Sequence, residues 1–230
     1  MADEGVEYVE RARATTERGE IVLRERRSAD AEAAGVLELR VNGVFVMDTL
    51  ETTTEQALAR TALAQVEEPS AVVVGGLGLG YTAHEVLTDR RVDRLVVVEI
   101  EEPLVDWMRD GTVPHGPSYL ADERLTLVVA DIRQAMAEAT PDSYDLVLLD
   151  VDNGPGYLVH EQNADVYRAE FLSSVAQALK PGGAVAVWSA AESPDLYDGL
   201  VTVFGAATPM PLDVRLQDRA EQYWLYLAHR

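Results

Sequence analysis

The stretch Ala71-Val72-Val73-Val74-Gly75-Gly76-Leu77-Gly78-Leu79-Gly80 decides how the rest of the chain is read. Small apolar residues, mostly β-branched, run straight into a glycine cluster. A helical pattern follows at once, with Tyr81, Thr82, Ala83, Val86 and Leu87. That order predicts a buried parallel strand, a tight turn and a helix N-terminus. Glycines let the backbone take left-handed angles and approach a ligand closely. The free N–H groups of a helix start favour an anionic or polar ligand group. A plain strand-to-helix turn also favours glycine, so the odds turn on the rest of the chain.

Downstream, strands and helices alternate. Strands are predicted at Arg94–Ile100, Leu125–Ala130, Tyr144–Leu149 and Ala184–Trp188. Helices are predicted at Pro103–Arg109, Ile132–Ala139, 165–179 and 194–203. Residues 110–123 and 151–163 read as loops, and Lys180-Pro181-Gly182-Gly183 as a turn. Val214–Leu216 and Tyr223–Ala228 predict a closing antiparallel hairpin. Such alternation means a doubly wound, mainly parallel α/β sheet with right-handed crossovers.

Upstream, Val36–Val41 and Val44–Thr49 flank Asn42-Gly43, the strongest short hairpin signal. Residues 20–25 suit a strand, 28–35 a loop, and 1–19 a short helix or a frayed arm. Residues 1–50 are therefore expected to form a small β unit ahead of an α/β domain over 51–230. Between them, Thr52, Thr53 and Thr54 offer N-caps, and Glu55 or Gln56 can close a capping box.

Composition narrows the chemistry. The chain has 230 residues and a formal net charge of −21, from 40 acidic and 19 basic residues. Such a surface repels nucleic acid and anionic membranes. It suits a cationic ligand, and equally a plainly soluble acidic protein. There is no cysteine, which removes disulfides, thiol nucleophiles and cysteine metal sites. The histidines His84, His115, His160 and His229 have no metal-ligand spacing. The polar first residues do not resemble a signal peptide, and no apolar run reaches the roughly 20 residues of a membrane span. The expectation is a cytoplasmic protein without a metal.

In sheets of this kind ligands bind beyond the strand carboxyl ends, at the switch point. Polar residues collect there: the glycine loop, then Glu99, Asp131, Asp150 with Asp152, and Ser189. Glu99 lies where an acid can hold both hydroxyls of a ribose. Asp131 precedes a helix, so it suits a plain N-cap as well as an adenine amino group. Asp150-Val151-Asp152-Asn153 is the unusual segment. One carboxylate would suit a turn, whereas two of them after a wholly apolar strand suit a site. A carboxylate there can orient an amine and accept its proton.

The glycine strand, Val97-Val98-Glu99-Ile100, Val129-Ala130-Asp131-Ile132, Tyr144–Asp150 and Leu179–Gly183 come in the order of the class I S-adenosylmethionine-dependent methyltransferase fold. With the hairpin in front and the Asp-rich loop after the fourth strand, residues 36–205 resemble its spermidine synthase (polyamine aminopropyltransferase) branch. The resemblance implies a Rossmann-like, methyltransferase-type sheet carrying the N-terminal hairpin unit. It implies a sulfonium nucleoside, S-adenosylmethionine or its decarboxylated form, as co-substrate. Gly76, Leu77, Gly78 and Gly80 would line that nucleoside, Glu99 and Ile100 the ribose, and Asp131 and Ile132 the adenine. Asp150 would be the catalytic carboxylate. Asp152, Asn153 and Tyr157 would face the acceptor, with Trp188 and Tyr167 further candidates. The resemblance also implies a small amine acceptor and a homodimer.

Departures fall on the amine side. The family's glycine loop carries an aspartate where Gly78 stands, a glutamine where Val46 stands, and a Tyr-His-Glu run roughly where Thr54, Glu55 and Gln56 stand. Aminopropyl transfer, methyl transfer from intact S-adenosylmethionine and a catalytically silent nucleoside-binding relative all stay open. A nicotinamide dehydrogenase shares the glycine turn and the ribose acid, but leaves Asp131, Asp150 and Asp152 unexplained.

Overall fold

The computed structural model describes residues 6–28, 35–155, 158, 161–216 and 219–230. Two sheets organise them. The first is antiparallel, in the order β1-β2-β3-β4: β1 Val6–Thr16, β2 Gly19–Ser28, β3 Val36–Val41 and β4 Val44–Asp48. Asn42 and Gly43 both take positive φ, 52° and 78°, as the tight β3–β4 turn requires. Residues 1–19 correct the expectation of a helix or frayed arm. Val6–Thr16 is a long edge strand paired along its length with β2, its alternation broken by a bulge between Glu10 and Ala12. The expected loop at 28–35 falls mostly outside the described residues.

The second sheet has seven strands in the order β10-β11-β9-β8-β5-β6-β7. These are β5 Ala71–Gly75, β6 Arg94–Glu99, β7 Leu125–Val129, β8 Tyr144–Leu149, β9 Leu179–Ser189, β10 Thr208–Leu216 and β11 Arg219–His229. Strands β5 to β9 run parallel, and β10 and β11 close one edge antiparallel. The chain leaves β5 towards β6 and later returns beside it as β8. The end of β5 is therefore the switch point, and Gly75 pairs with Leu149 there. Val72, Val73, Val74, Leu146, Val147 and Leu148 are fully buried.

The helices are α1 Thr53–Leu63, α2 Tyr81–Thr88, α3 Glu102–Asp110, α4 Gly116–Tyr119, α5 Ile132–Ala137, α6 Ala169–Ala178 and α7 Pro194–Phe204. The expected helix at 165–179 divides into a 3-10 turn, Glu161–Tyr167, and α6. The expected capping box does not form: no side chain caps α1, and Glu55 turns inward. Two polar clamps hold the first sheet over the second. Arg18, in the β1–β2 turn, donates to both oxygens of Glu101 at 2.7 and 3.1 Å and to the Ile100 carbonyl at 2.7 Å. Asn153 donates to the Phe45 carbonyl at 3.1 Å.

Candidate active site

A cleft of about 1050 Å³, counted with its open mouth, lies beyond the carboxyl ends of β5, β6, β7 and β8. The first sheet roofs it with Ile21, Leu39, Val41, Val46 and Met47. Its other walls contribute Glu55, Glu99, Glu101, Asp131, Asp150 and Asp152, and no lysine or arginine among the described residues.

The glycine loop is tied to the Asp150 loop by backbone hydrogen bonds. Gly76 donates its N–H to the Val98 carbonyl at 2.9 Å, and Asp150 donates its own to the Gly75 carbonyl at 2.9 Å. Gly76 sits at φ +93°, and a Cβ there would stand 2.1 Å from the Asp150 carbonyl oxygen. Glycine is therefore obligatory at 76. Gly78 takes φ +50°, and a Cβ there would meet the Met47 sulfur at 2.7 Å. That sulfur also accepts the Leu79 N–H at 3.2 Å. Leu77 and Gly80 do not line the cleft. Leu77 is a core side chain whose N–H donates to Glu99 at 2.8 Å. Gly80 starts α2, its Cα facing Met108 and Tyr119.

Glu99 ends β6 with its side chain buried. Its Oε2 accepts Leu77 N–H and its Oε1 accepts Glu101 N–H, each at 2.8 Å. Each oxygen keeps a further lone pair for the cleft, as a pair of ribose hydroxyls requires. Burial pushes the carboxyl above its usual range against those backbone bonds. Asp131 realises the N-cap reading, accepting Arg133 N–H at 2.8 Å, and its carboxylate is also ion-paired to Arg133 at 2.6 Å. Burial raises its pKa, but the Arg133 side-chain and backbone bonds outweigh that and hold it below the usual range. Asp131 lines the cleft beside Ala130 and Ile132, and Ile100 lines it beside Glu99.

Asp150 follows the apolar β8. The only hydrogen-bond partner of its carboxylate among the described residues is the Thr82 hydroxyl, at 2.5 Å from Oδ2. Burial lifts its pKa to about 6 although that bond lowers it. Glu55 faces the same space from α1, nine-tenths buried, with the Thr54 hydroxyl on Oε2 at 3.0 Å. Its pKa rises to about 8, first from burial and then from the Asp150 charge. Thr82 bridges the two sites, its hydroxyl also lying 3.4 Å from the Glu55 carbonyl.

Asp152 adopts φ +65°, with Oδ1 accepting Asn153 N–H and Oδ2 accepting the Asn163 amide, both at 2.8 Å. Asn153 lines the cleft while holding the roof. Tyr157 lies outside the described residues. Tyr167 is a core residue whose hydroxyl donates to the Val151 carbonyl, fixing the loop from behind. Trp188 closes the far wall, edge-on to Tyr223 with ring centroids 5.0 Å apart, and its buried indole N–H meets no partner among the described residues. Sequence reasoning missed Glu55, Thr82 and Arg18 as parts of the site.

A family model, the spermine/spermidine synthase domain, matches residues 51–203. The chain belongs to that family. It is 30% identical over 224 residues to polyamine aminopropyltransferase 2 of Hyperthermus butylicus, covering 87% of this chain and 71% of that protein. It is 33% identical over 136 residues to polyamine aminopropyltransferase 2 of Pseudomonas aeruginosa, covering 57% of this chain and 37% of that one. Putrescine N-methyltransferase 2 of Nicotiana tabacum is 29% identical over 132 residues, with 56% and 35% covered. The chain thus spans little more than a third of the latter two relatives. In fold it is similar to spermidine synthase from Thermotoga maritima, with TM-score 0.79 at 17% identity, covering 96% of this chain and 72% of that one. It is equally similar to a spermidine synthase in complex with the transition-state analogue AdoDATO, with TM-score 0.81 at 17% identity, over 96% and 73%. No described helix is long and apolar enough to cross a membrane.

Proposed function

We propose that the protein transfers an aminopropyl group from a decarboxylated S-adenosylmethionine-type sulfonium to a small amine. The observation that carries this is a cleft walled by carboxylates and lacking any lysine or arginine, at the end of β5 and β8. A sulfonium donor and an ammonium acceptor are both cations, and they supply the positive charge that Glu55 and Asp150 do not find among the described residues. Glu99 takes the ribose hydroxyls, and Asp131 with Ile132 the adenine. Asp150 holds the acceptor nitrogen in line with the carbon on sulfur and takes its proton. The nitrogen then attacks, the C–N bond forms, and the C–S electron pair returns to sulfur as a neutral thioether. The membership of a family that contains polyamine aminopropyltransferases supports the reading.

A second reading, methyl transfer from S-adenosylmethionine to the same kind of amine, is favoured by Gly78. No carboxylate stands there to repel the donor's own carboxylate, and the Met47 sulfur covers the position. The test is calorimetric titration with S-adenosylmethionine and its decarboxylated form side by side. Preference for the decarboxylated donor supports aminopropyl transfer, and preference for the intact one selects the methyl reading. Binding of neither overturns both.

A further inference from the structure

We propose that Glu55 is a second acceptor-binding carboxylate, and that Glu55 and Asp150 together seat the reacting ammonium of a cationic amine. The proposal rests on the transferase reading above and assigns to this chain a residue that reading does not need. Three observations carry it. Glu55 is nine-tenths buried yet lines the cleft, so it faces the ligand space and not bulk water. Thr82 joins its backbone to the Asp150 carboxylate, which fixes the two acids against each other. No arginine or lysine among the described residues pairs with either acid, although arginines answer most other buried carboxylates here.

Among the described residues the titratable groups that interact with Glu55 are Asp150, Glu51, Tyr81 and Tyr223, all neutral or acidic. With nothing bound, the pair satisfies itself by keeping a proton. An ammonium group supplies the missing positive charge, and the retained proton leaves to solvent. The ammonium first passes one proton to Asp150, which frees the nitrogen lone pair; the amine then attacks, the C–S pair leaves to sulfur, and Glu55 keeps hold of the secondary ammonium that forms. That proton departs with the products, so one proton is released per transfer.

The experiment is titration of putrescine, with 1,4-butanediol as an uncharged probe of equal length, into wild type, Glu55→Gln and Glu55→Asp. It is run near pH 7.5 in two buffers of different ionisation enthalpy, with and without 5′-methylthioadenosine. Wild type should bind putrescine with proton release and ignore the diol. Glu55→Gln should bind at least about tenfold more weakly and release no proton, with Glu55→Asp in between. A thermal melt near pH 5 shows whether the glutamine variant folds like wild type. Putrescine binding to Glu55→Gln with unchanged affinity and proton count overturns the proposal, as does equal binding of the diol or no putrescine binding by wild type. Failure of 5′-methylthioadenosine to bind strikes the nucleoside reading instead, because the amine titration without it still reads Glu55.

Discussion

Two pairs of carboxylates withdrawn from bulk water are treated in opposite ways in this protein. Glu38 on β3 and Asp48 on β4 are almost wholly inaccessible. Arg24 meets Glu38 at 2.6 Å, Arg26 reaches Glu38 at 3.2 Å and Asp48 at 3.7 Å, and Arg40 stands 3.6 Å from Glu38. Asp48 also accepts the N–H groups of Leu50 and Glu51 at 2.9 Å. The carboxylates of Glu55 and Asp150, on the next element and across the cleft, meet the Thr54 and Thr82 hydroxyls and no lysine or arginine among the described residues. An ionised acid withdrawn from water needs an opposite charge or a proton. The first pair finds its charge inside the fold and belongs to the architecture. The second finds none, so its counter-charge has to arrive with a ligand. The two acid pairs are thus told apart by what surrounds them, and the second has the electrostatics of a site.

Removing one acid from each pair breaks the comparison most sharply. Asp150→Asn should lower amine alkylation by about 10²- to 10⁴-fold, the usual range for a lost general base, while calorimetry shows nucleoside binding unchanged. Full activity in that variant would sink the role given to Asp150. Glu38→Gln leaves the guanidinium cluster uncompensated and should lose about 3–5 kcal/mol in denaturant unfolding. If it unfolds like wild type, the arginines are solvated well enough to stand alone, and the contrast between the pairs is lost.

A backbone test is next in size. Gly76 carries both a positive φ and the contact with the Asp150 carbonyl. Gly76→Ala should therefore be destabilised by about 1–3 kcal/mol and should also lose turnover, since relieving the contact moves the Asp150 loop. Retained activity with lost stability would separate the loop's fold from its chemistry.

The fold was legible because buried parallel strands write themselves as apolar runs ending in a polar residue. Val72–Val74, Leu95–Val98 and Leu146–Leu149 each do so, and that rule also found Glu99, Asp131 and Asp150. The first strand was not legible, because its bulge between Glu10 and Ala12 interrupts the period of two. Glu55 was hidden for another reason. Its place after three threonines satisfies a capping box as well as a site, and only the packing of α1 beside the end of β8 turns it inward. Arg18 was out of reach because its partner Glu101 lies 83 residues away in sequence. Contacts made across sheets leave no local pattern.

The smallest effect concerns pH and isolates the second pair. In the folded protein Glu55 and Asp150 are raised to about 8 and about 6. In the unfolded chain they ionise near ordinary carboxylate values, so between these limits the folded state holds the extra proton. Stability drawn from such groups is full at low pH and is lost as pH rises through the folded values. Ligand-free wild type should accordingly melt at falling temperature from about pH 4 to about pH 8, and level off above that. Glu99, also raised by burial, acts in the same direction and remains in every Glu55 variant. Glu55→Gln keeps the shape, deletes one titrating group, and should be the more stable protein at the alkaline end. A gain of the order of 1 kcal/mol is about 2–4 °C in Tm for a chain of this length. Below about pH 4, where Glu55 is neutral in the folded and the unfolded chain alike, the two melting curves should coincide. Equal melting at every pH would mean that Glu55 carries no uncompensated charge, and the two carboxylate pairs would then be alike. A putrescine-dependent rise in Tm confined to the alkaline end in wild type, and absent from Glu55→Gln, would locate the missing cation at that carboxylate.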